Sequence, residues 1–369
     1  FAKERGRSDD MLPLWVADMD FPTAPGIQER LSEAVAHGIY GYSEGKDDYF
    51  LAAAGWYEKH FGWKIEKEWL IKTPGVVFAL AMAVKAYTEE GDAVLLQQPV
   101  YYPFSEVITD NHRRLINNPL QQVDGHYEIN FEEFDQKIVE ENVKLFLMCS
   151  PHNPVGRVWK EWELRKIGDI CLKHNVLVVS DEIHSDFTYG DNVHHVFASL
   201  DERYAAITTT CTAPSKTFNI AGAQNSMVII PDKKLRKKWD AYTKGNRIQG
   251  GNTFGYVAAQ AAYAGGKEWL DQVLKQIDEN YRYLKAELAE KMPEAIVTPL
   301  EGTYLCWINL KAYVSADDIK EVIQKKCHLA VDYGDWFGGE RFGTFIRMNL
   351  ATSMENVKTG VEALINNLK

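Results

Sequence analysis

The chain has 369 residues, 46% hydrophobic and 25% charged, with a formal net charge of −11. That length exceeds one small core and makes two domains the default. The acidic balance excludes nucleic acid as the main partner, because no broad face could neutralise phosphates. No apolar stretch approaches the ~18 residues of a membrane span, which excludes a membrane partner of that kind.

No signal peptide opens the chain. It lacks an initiator Met, yet a functional-looking segment begins at Leu14, so the numbered chain is expected to start inside a longer natural one. The segment up to about Pro25 is too short and polar to fold alone. From Glu29 onward, helical periodicity alternates with short β-branched runs, the pattern of a mostly parallel sheet covered on both faces. Seven runs read as strands: Leu70–Lys72, Ala93–Gln97, Arg114–Asn117, Lys144–Cys149, Val176–Ser180, Ala205–Cys211 and Met227–Ile230. Helices are expected at Val76–Thr88, Pro103–Asp110 and Glu161–His174. Such sheets bind ligands at the carboxyl ends of their strands, so the residues just past each strand are the first candidates for chemistry.

After the first strand comes Thr73-Pro74-Gly75-Val76-Val77, opening a helix. Backbone amides at Gly75, Val76 and Val77 would bind a phosphate dianion there; a turn serving packing alone is the alternative. After the second strand come Tyr101 and Tyr102, at the same rim. Tyr101 is the candidate to stack on a flat aromatic ligand, and Tyr102 a candidate catalytic acid or positioning hydroxyl; two tyrosines capping a strand remain the alternative. Asn153, Asp181 and Lys216 then come after three successive strands. A pyridine aldehyde needs that set: the amine to bind it as an imine, the acid to keep its ring nitrogen protonated, the amide to bond its phenolic oxygen. The ordered triple therefore points to pyridoxal 5'-phosphate (PLP). Asp181 alone could also read as a helix cap. Ser215 is a further candidate phosphate ligand.

The basic run Lys233–Lys238 reads as a solvated helix face rather than an interaction patch. Beyond Asn252 the pattern changes. A long helix is expected over Glu268–Met292, with Leu270, Val273, Leu274, Ile277, Tyr281, Leu284 and Leu288 close to one stripe. Strands at Thr303–Leu310, Leu329–Asp332 and Phe345–Leu350 and helices at Ala316–Cys327 and Met354–Asn366 complete a smaller α+β domain. The division expected is 29–255 for the large α/β domain, and 1–28 with 256–369 for the small one. Arg347 is a charge inside an apolar strand; it fits a substrate α-carboxylate or an internal salt bridge. Five scattered cysteines, with no Cys-x-x-Cys pair, give neither a disulfide framework nor a metal site and fit a reducing, cytoplasmic setting.

The chain resembles fold-type I PLP enzymes over nearly its whole length, and within them the MalY/PatB-like cystathionine β-lyases. The likeness rests on Leu14–Phe21, Tyr40-Gly41-Tyr42-Ser43, Ser150–Trp159, Ser180–Asp186 and Ser215–Gly222. It implies a homodimer with shared active sites, Tyr42 reaching the phosphate of the neighbouring subunit. It also implies that the backbone at Ala17 joins Asn153 and Arg347 around the carboxylate of an amino-acid substrate. Two departures from the wider aminotransferase pattern stand out: His184 where a tyrosine is usual, as in the lyase branch and counted with the cofactor ligands, and Gln224 where many carry a phosphate-binding arginine. The implied reaction is β-elimination of thiol, pyruvate and ammonia from cystathionine or another S-substituted cysteine, with Lys216 as base. An aminotransferase is the alternative, and an added regulatory protein-binding role a third. Trp15, Tyr102, Tyr304, Trp336 and Phe337 are candidate pocket walls.

Overall fold

The computed structural model describes residues 8, 10–246 and 251–368. All seven strand runs form one sheet: β1 (Leu70–Thr73), β2 (Ala93–Leu96), β3 (Arg114–Asn117), β4 (Val143–Cys149), β5 (Leu177–Asp181), β6 (Thr208–Thr212) and β7 (Ser226–Ile229). The order is β1-β7-β6-β5-β4-β2-β3. Only β7 runs against its neighbours.

The period of two along each strand sorts side chains onto two faces. Leu95, Phe146 and Val178 face one core, filled by the helices Phe131–Glu140 and Glu161–His174. Val94, Leu96, Leu145, Leu147 and Val179 face the other, against the helices Val76–Tyr87, Pro103–Thr109 and Lys233–Gly245. Each fully buried Leu or Val stabilises the fold by about 1.5–3 kcal/mol, so the sheet's centre is held from both sides.

A second, four-stranded antiparallel sheet joins β8 (Ile296–Val297), β9 (Leu305–Asn309), β10 (Asp332–Tyr333) and β11 (Phe345–Asn349) in the order β8-β9-β11-β10. The helix Lys267–Lys291 lays Leu270, Val273, Ile277, Leu284 and Leu288 into its core. Asn280, also on that stripe, is buried and donates to the carbonyl oxygens of Leu350 (2.9 Å) and Thr352 (2.8 Å).

Three expectations need correction. The run Ala205–Cys211 begins as a helical turn, Glu202–Ala205, capped by Asp201, and the strand proper starts at Thr208. Ala316–Cys327 is not one α-helix. Ser315 and Asp318 bond each other in a local turn that competes with helix, and only Ile319–Glu321 is α before a π-turn at Val322–Lys326. Leu329–Asp332 splits: Leu329–Ala330 pairs in parallel with Leu12–Pro13, whereas Asp332–Tyr333 joins the four-stranded sheet. The basic run 233–238 is helical with exposed lysines, but Arg236 is buried and bonds Glu68 at 2.6 Å. Among the described residues no helix is long and apolar enough to cross a membrane.

Candidate active site

The loops after β2, β4, β5 and β6 close around a cavity of about 320 Å³. Its walls include Ala17, Val76, Val77, Tyr101, Tyr102, Asn153, Asp181, His184, Lys216 and Arg347, residues that lie up to 330 positions apart in the chain. Gly75 sits one step outside as the residue before the helix Val76–Tyr87. Ser215 and Gln224 do not line the cavity, and Tyr42 stands outside it, fully exposed.

Asp181 ends β5, directly opposite Cys149 at the end of β4. One carboxylate oxygen accepts from the Ile183 N–H at 3.1 Å. Burial pushes its pKa up to about 7, against the pull of that N–H and of Lys216. Lys216 comes after β6 on the short turn Pro214–Thr217. Next to it, the Thr217 hydroxyl donates to half-buried Asp186 (2.7 Å), whose other oxygen accepts from the Trp56 indole (2.9 Å), fixing the turn. The Lys216 amine donates to the Ala17 carbonyl at 2.7 Å and lies 3.7 Å from an Asp18 carboxylate oxygen. Burial lowers its pKa. His184 is driven down to about 3 by burial, then by Lys216 and Arg347, so it is neutral near pH 7. Its Nδ1 is buried without a partner.

Tyr101 and Tyr102 pack together at one wall with ring centroids 4.9 Å apart. Tyr102 also meets Trp336 and Phe337 edge-on. The helix Val76–Tyr87 begins at the cavity with no side chain capping it. Its first-turn amides therefore face the space with the positive end of the dipole.

Arg347, in β11, sits opposite Trp307 of β9 and Asp332 of β10. The guanidinium donates to Asn153 Oδ1 (3.0 Å), the Trp15 carbonyl (3.1 Å) and the Asp332 carboxylate. The internal salt bridge weighed from sequence is thus present, and the arginine still lines the cavity with its Nε unpartnered. Asp332, Cys149, Val16 and Ile183 are wall residues that the sequence pattern did not single out. Asp332 had a usable signal: a carboxylate closing the apolar run Leu329-Ala330-Val331 needs a buried cation.

The roof is the segment Leu14–Phe21. Asn349 donates to the carbonyls of Val16 (2.7 Å) and Asp18 (2.6 Å). Asn219 donates to those of Met19 (2.9 Å) and Phe21 (2.8 Å) and accepts from the Met19 N–H (3.0 Å). Asn219 holds φ 54°, a left-handed conformation that asparagine tolerates. Tyr304 donates its hydroxyl to the same Ala17 carbonyl that Lys216 uses, at 2.7 Å.

The sequence profile of the aminotransferase class I and II family matches residues 10–364. The chain is 41% identical to cystathionine β-lyase PatB of Bacillus subtilis, covering 96% of this chain and 92% of that one. A solved PLP-bound protein of Clostridium difficile 630, provisionally named an aminotransferase, superposes with a TM-score of 0.96 at 39% identity, over 100% of this chain and 94% of that one. Cystalysin of Treponema denticola, solved with pyridoxal 5'-phosphate, gives 0.95 at 37% identity, over 99% and 93%.

Proposed function

The chain belongs to the aminotransferase class I and II family, and we propose that it is a PLP-dependent carbon–sulfur β-lyase acting on cystathionine or another S-substituted cysteine. The observation that carries the reading is Asp181 and Lys216 placed together in one cavity, at the ends of the adjacent strands β5 and β6. The residues present fit the cofactor. A buried carboxyl raised to about 7 is poorly compensated by the protein alone and is suited to a cationic ring nitrogen. An uncapped helix start suits a phosphate, and the orphaned Nδ1 of neutral His184 offers a further polar contact.

When bound, PLP supplies an aldehyde that links to amines and a ring that accepts electrons. Asp181 holds the charge of the ring nitrogen. The amides of Val76 and Val77, with the partner protomer's copy of the exposed tyrosine at position 42, would hold the phosphate, and Tyr101 would flank the ring. Arg347 and Asn153 orient the substrate carboxylate, with Ala17 closing over it. Lys216, once free, would take the Cα proton; burial lowers its pKa and so favours the neutral amine. Tyr102 stands at the wall as acid or positioning hydroxyl. We read the assembly as a homodimer in a reducing cytoplasm, where the five free, buried cysteines stay thiols.

The test is to supply an S-substituted cysteine with no keto acid. Thiol and pyruvate released in equal amounts over many turnovers support elimination. One half-turnover that stops with pyridoxamine phosphate makes the protein an aminotransferase instead.

A further inference from the structure

Lys216 reaches toward the roof segment. Its amine meets the carbonyl of Ala17 at 2.7 Å and an Asp18 carboxylate oxygen at 3.7 Å. The Ala17 carbonyl is not free to drift. The Val16 and Asp18 carbonyls on either side are fixed by one Asn349 amide. Met19 and Phe21 are fixed by Asn219, and Asp20 accepts from the Thr352 hydroxyl at 2.6 Å while its own N–H donates to the Ala351 carbonyl at 3.0 Å. The Tyr304 hydroxyl supports the Ala17 oxygen from the other side. A backbone carbonyl set between clamped neighbours, with a carboxylate on the next residue, is a preformed cradle for an ammonium.

We infer that Ala17 and Asp18 form a dock that holds the released ε-ammonium of Lys216, with Asp18 as a positioning residue supplying the counter-charge. The proposal rests on Lys216 being the reactive amine under the family reading. Taking a proton from Cα turns the amine into an ammonium; the dock stabilises that product and keeps the proton on Nζ until the departing sulfur takes it. Asp18 is 60% exposed at its side chain, so its pull is moderate and sensitive to salt. The other charged or titratable groups around the amine are Asp181 from β5, the Cys149 thiol from β4, His184 from the loop after β5, Arg347 and Asp332 from the small sheet, Tyr304 and the Tyr101–Tyr102 pair. Arg347 opposes the ammonium and Asp181 supports it from the far side.

Two readouts test the dock in the full-length protein. The first is the rate at which an amine-reactive reagent labels Lys216 in protein stripped of cofactor, followed by peptide mass spectrometry across a pH series. The second is the pH midpoint of the visible absorbance of the loaded enzyme, which reports protonation at the same nitrogen. Asp18→Asn should lower both midpoints by about 0.5–1 unit, the size expected of a unit charge near 4 Å at a wet site. Labelling below the midpoint should then run about 3–10-fold faster. Asp18→Glu should restore most of the shift, and high salt should shrink the difference between wild type and Asp18→Asn. Identical midpoints in wild type and Asp18→Asn would overturn the dock. A colourless wild type would instead overturn the cofactor reading, and the labelling series would still decide the dock.

Discussion

The rim of the large sheet and the roof of the cavity are built by opposite strategies. At the rim, Asn153, Asp181 and Lys216 each come at or just past the end of a buried strand, so a local motif places each of them. The roof and its supports, Leu14–Phe21, Asp332, Arg347 and Asn349, are placed by one another and by Asn219 and Tyr304, through bonds spanning 15 to 333 positions. On the proposed reading, chemistry that tolerates little positional error would sit on the stiff sheet, while recognition of the substrate carboxylate would be delegated to a surface assembled from distant pieces. The rim should therefore fail in catalysis without failing in stability, and the roof should fail in both.

The sharpest way to break that contrast is at its extremes. Lys216→Ala should slow thiol release by about a thousandfold or more and leave the urea midpoint unchanged or raised; marked unfolding would put the rim in the same class as the roof. Asp332→Ala strands the buried Arg347 cation and should destabilise by about 3–5 kcal/mol in denaturant titration, with Asp332→Ala/Arg347→Met recovering much of the loss.

Asp181 sharpens the comparison through pH. Its folded pKa, about 7, lies above the unfolded value near 3.9. The native state therefore binds this proton more tightly, and the group's contribution to stability is lost as pH rises from about 4 through about 7. Relative to Asp181→Asn, cofactor-free wild type should lose urea resistance across that window and run parallel above it. Curves parallel throughout would refute an uncompensated carboxyl at the rim. A smaller effect is expected of Asn349→Ala, about 1–3 kcal/mol, with faster hydrogen exchange in the roof and a raised KM. Smallest of all, Lys237→Ala, exposed on the helix Lys233–Gly245, should shift stability by no more than about 0.5 kcal/mol.

Legibility in the sequence obeys the same divide. Fully buried strands announce themselves by apolar and β-branched runs, so all seven strands of the large sheet were legible, with ends displaced by a few residues. The triple at the rim was legible because each member trails such a run. The Asp332–Arg347 pair was half visible: the arginine stood out in an apolar strand, but its partner became evident only when antiparallel register set Asp332 opposite it. Leu329–Asp332 looked like one strand because hydrophobic pattern does not record which sheet a residue joins. The amide clamps of Asn219, Asn280 and Asn349 left no trace in composition or period, since an asparagine that bonds a carbonyl far along the chain is indistinguishable in sequence from one in a turn.

The clamp between Asn349 and Val16 has a consequence for biosynthesis. The two residues stand 333 positions apart, so a nascent chain still threaded through the ribosome can finish the large sheet and present Lys216 before Asn349 fixes the roof. Synthesis from the amino terminus thus makes the roof among the last parts to settle, and the site gains its full shape only after β11 has emerged.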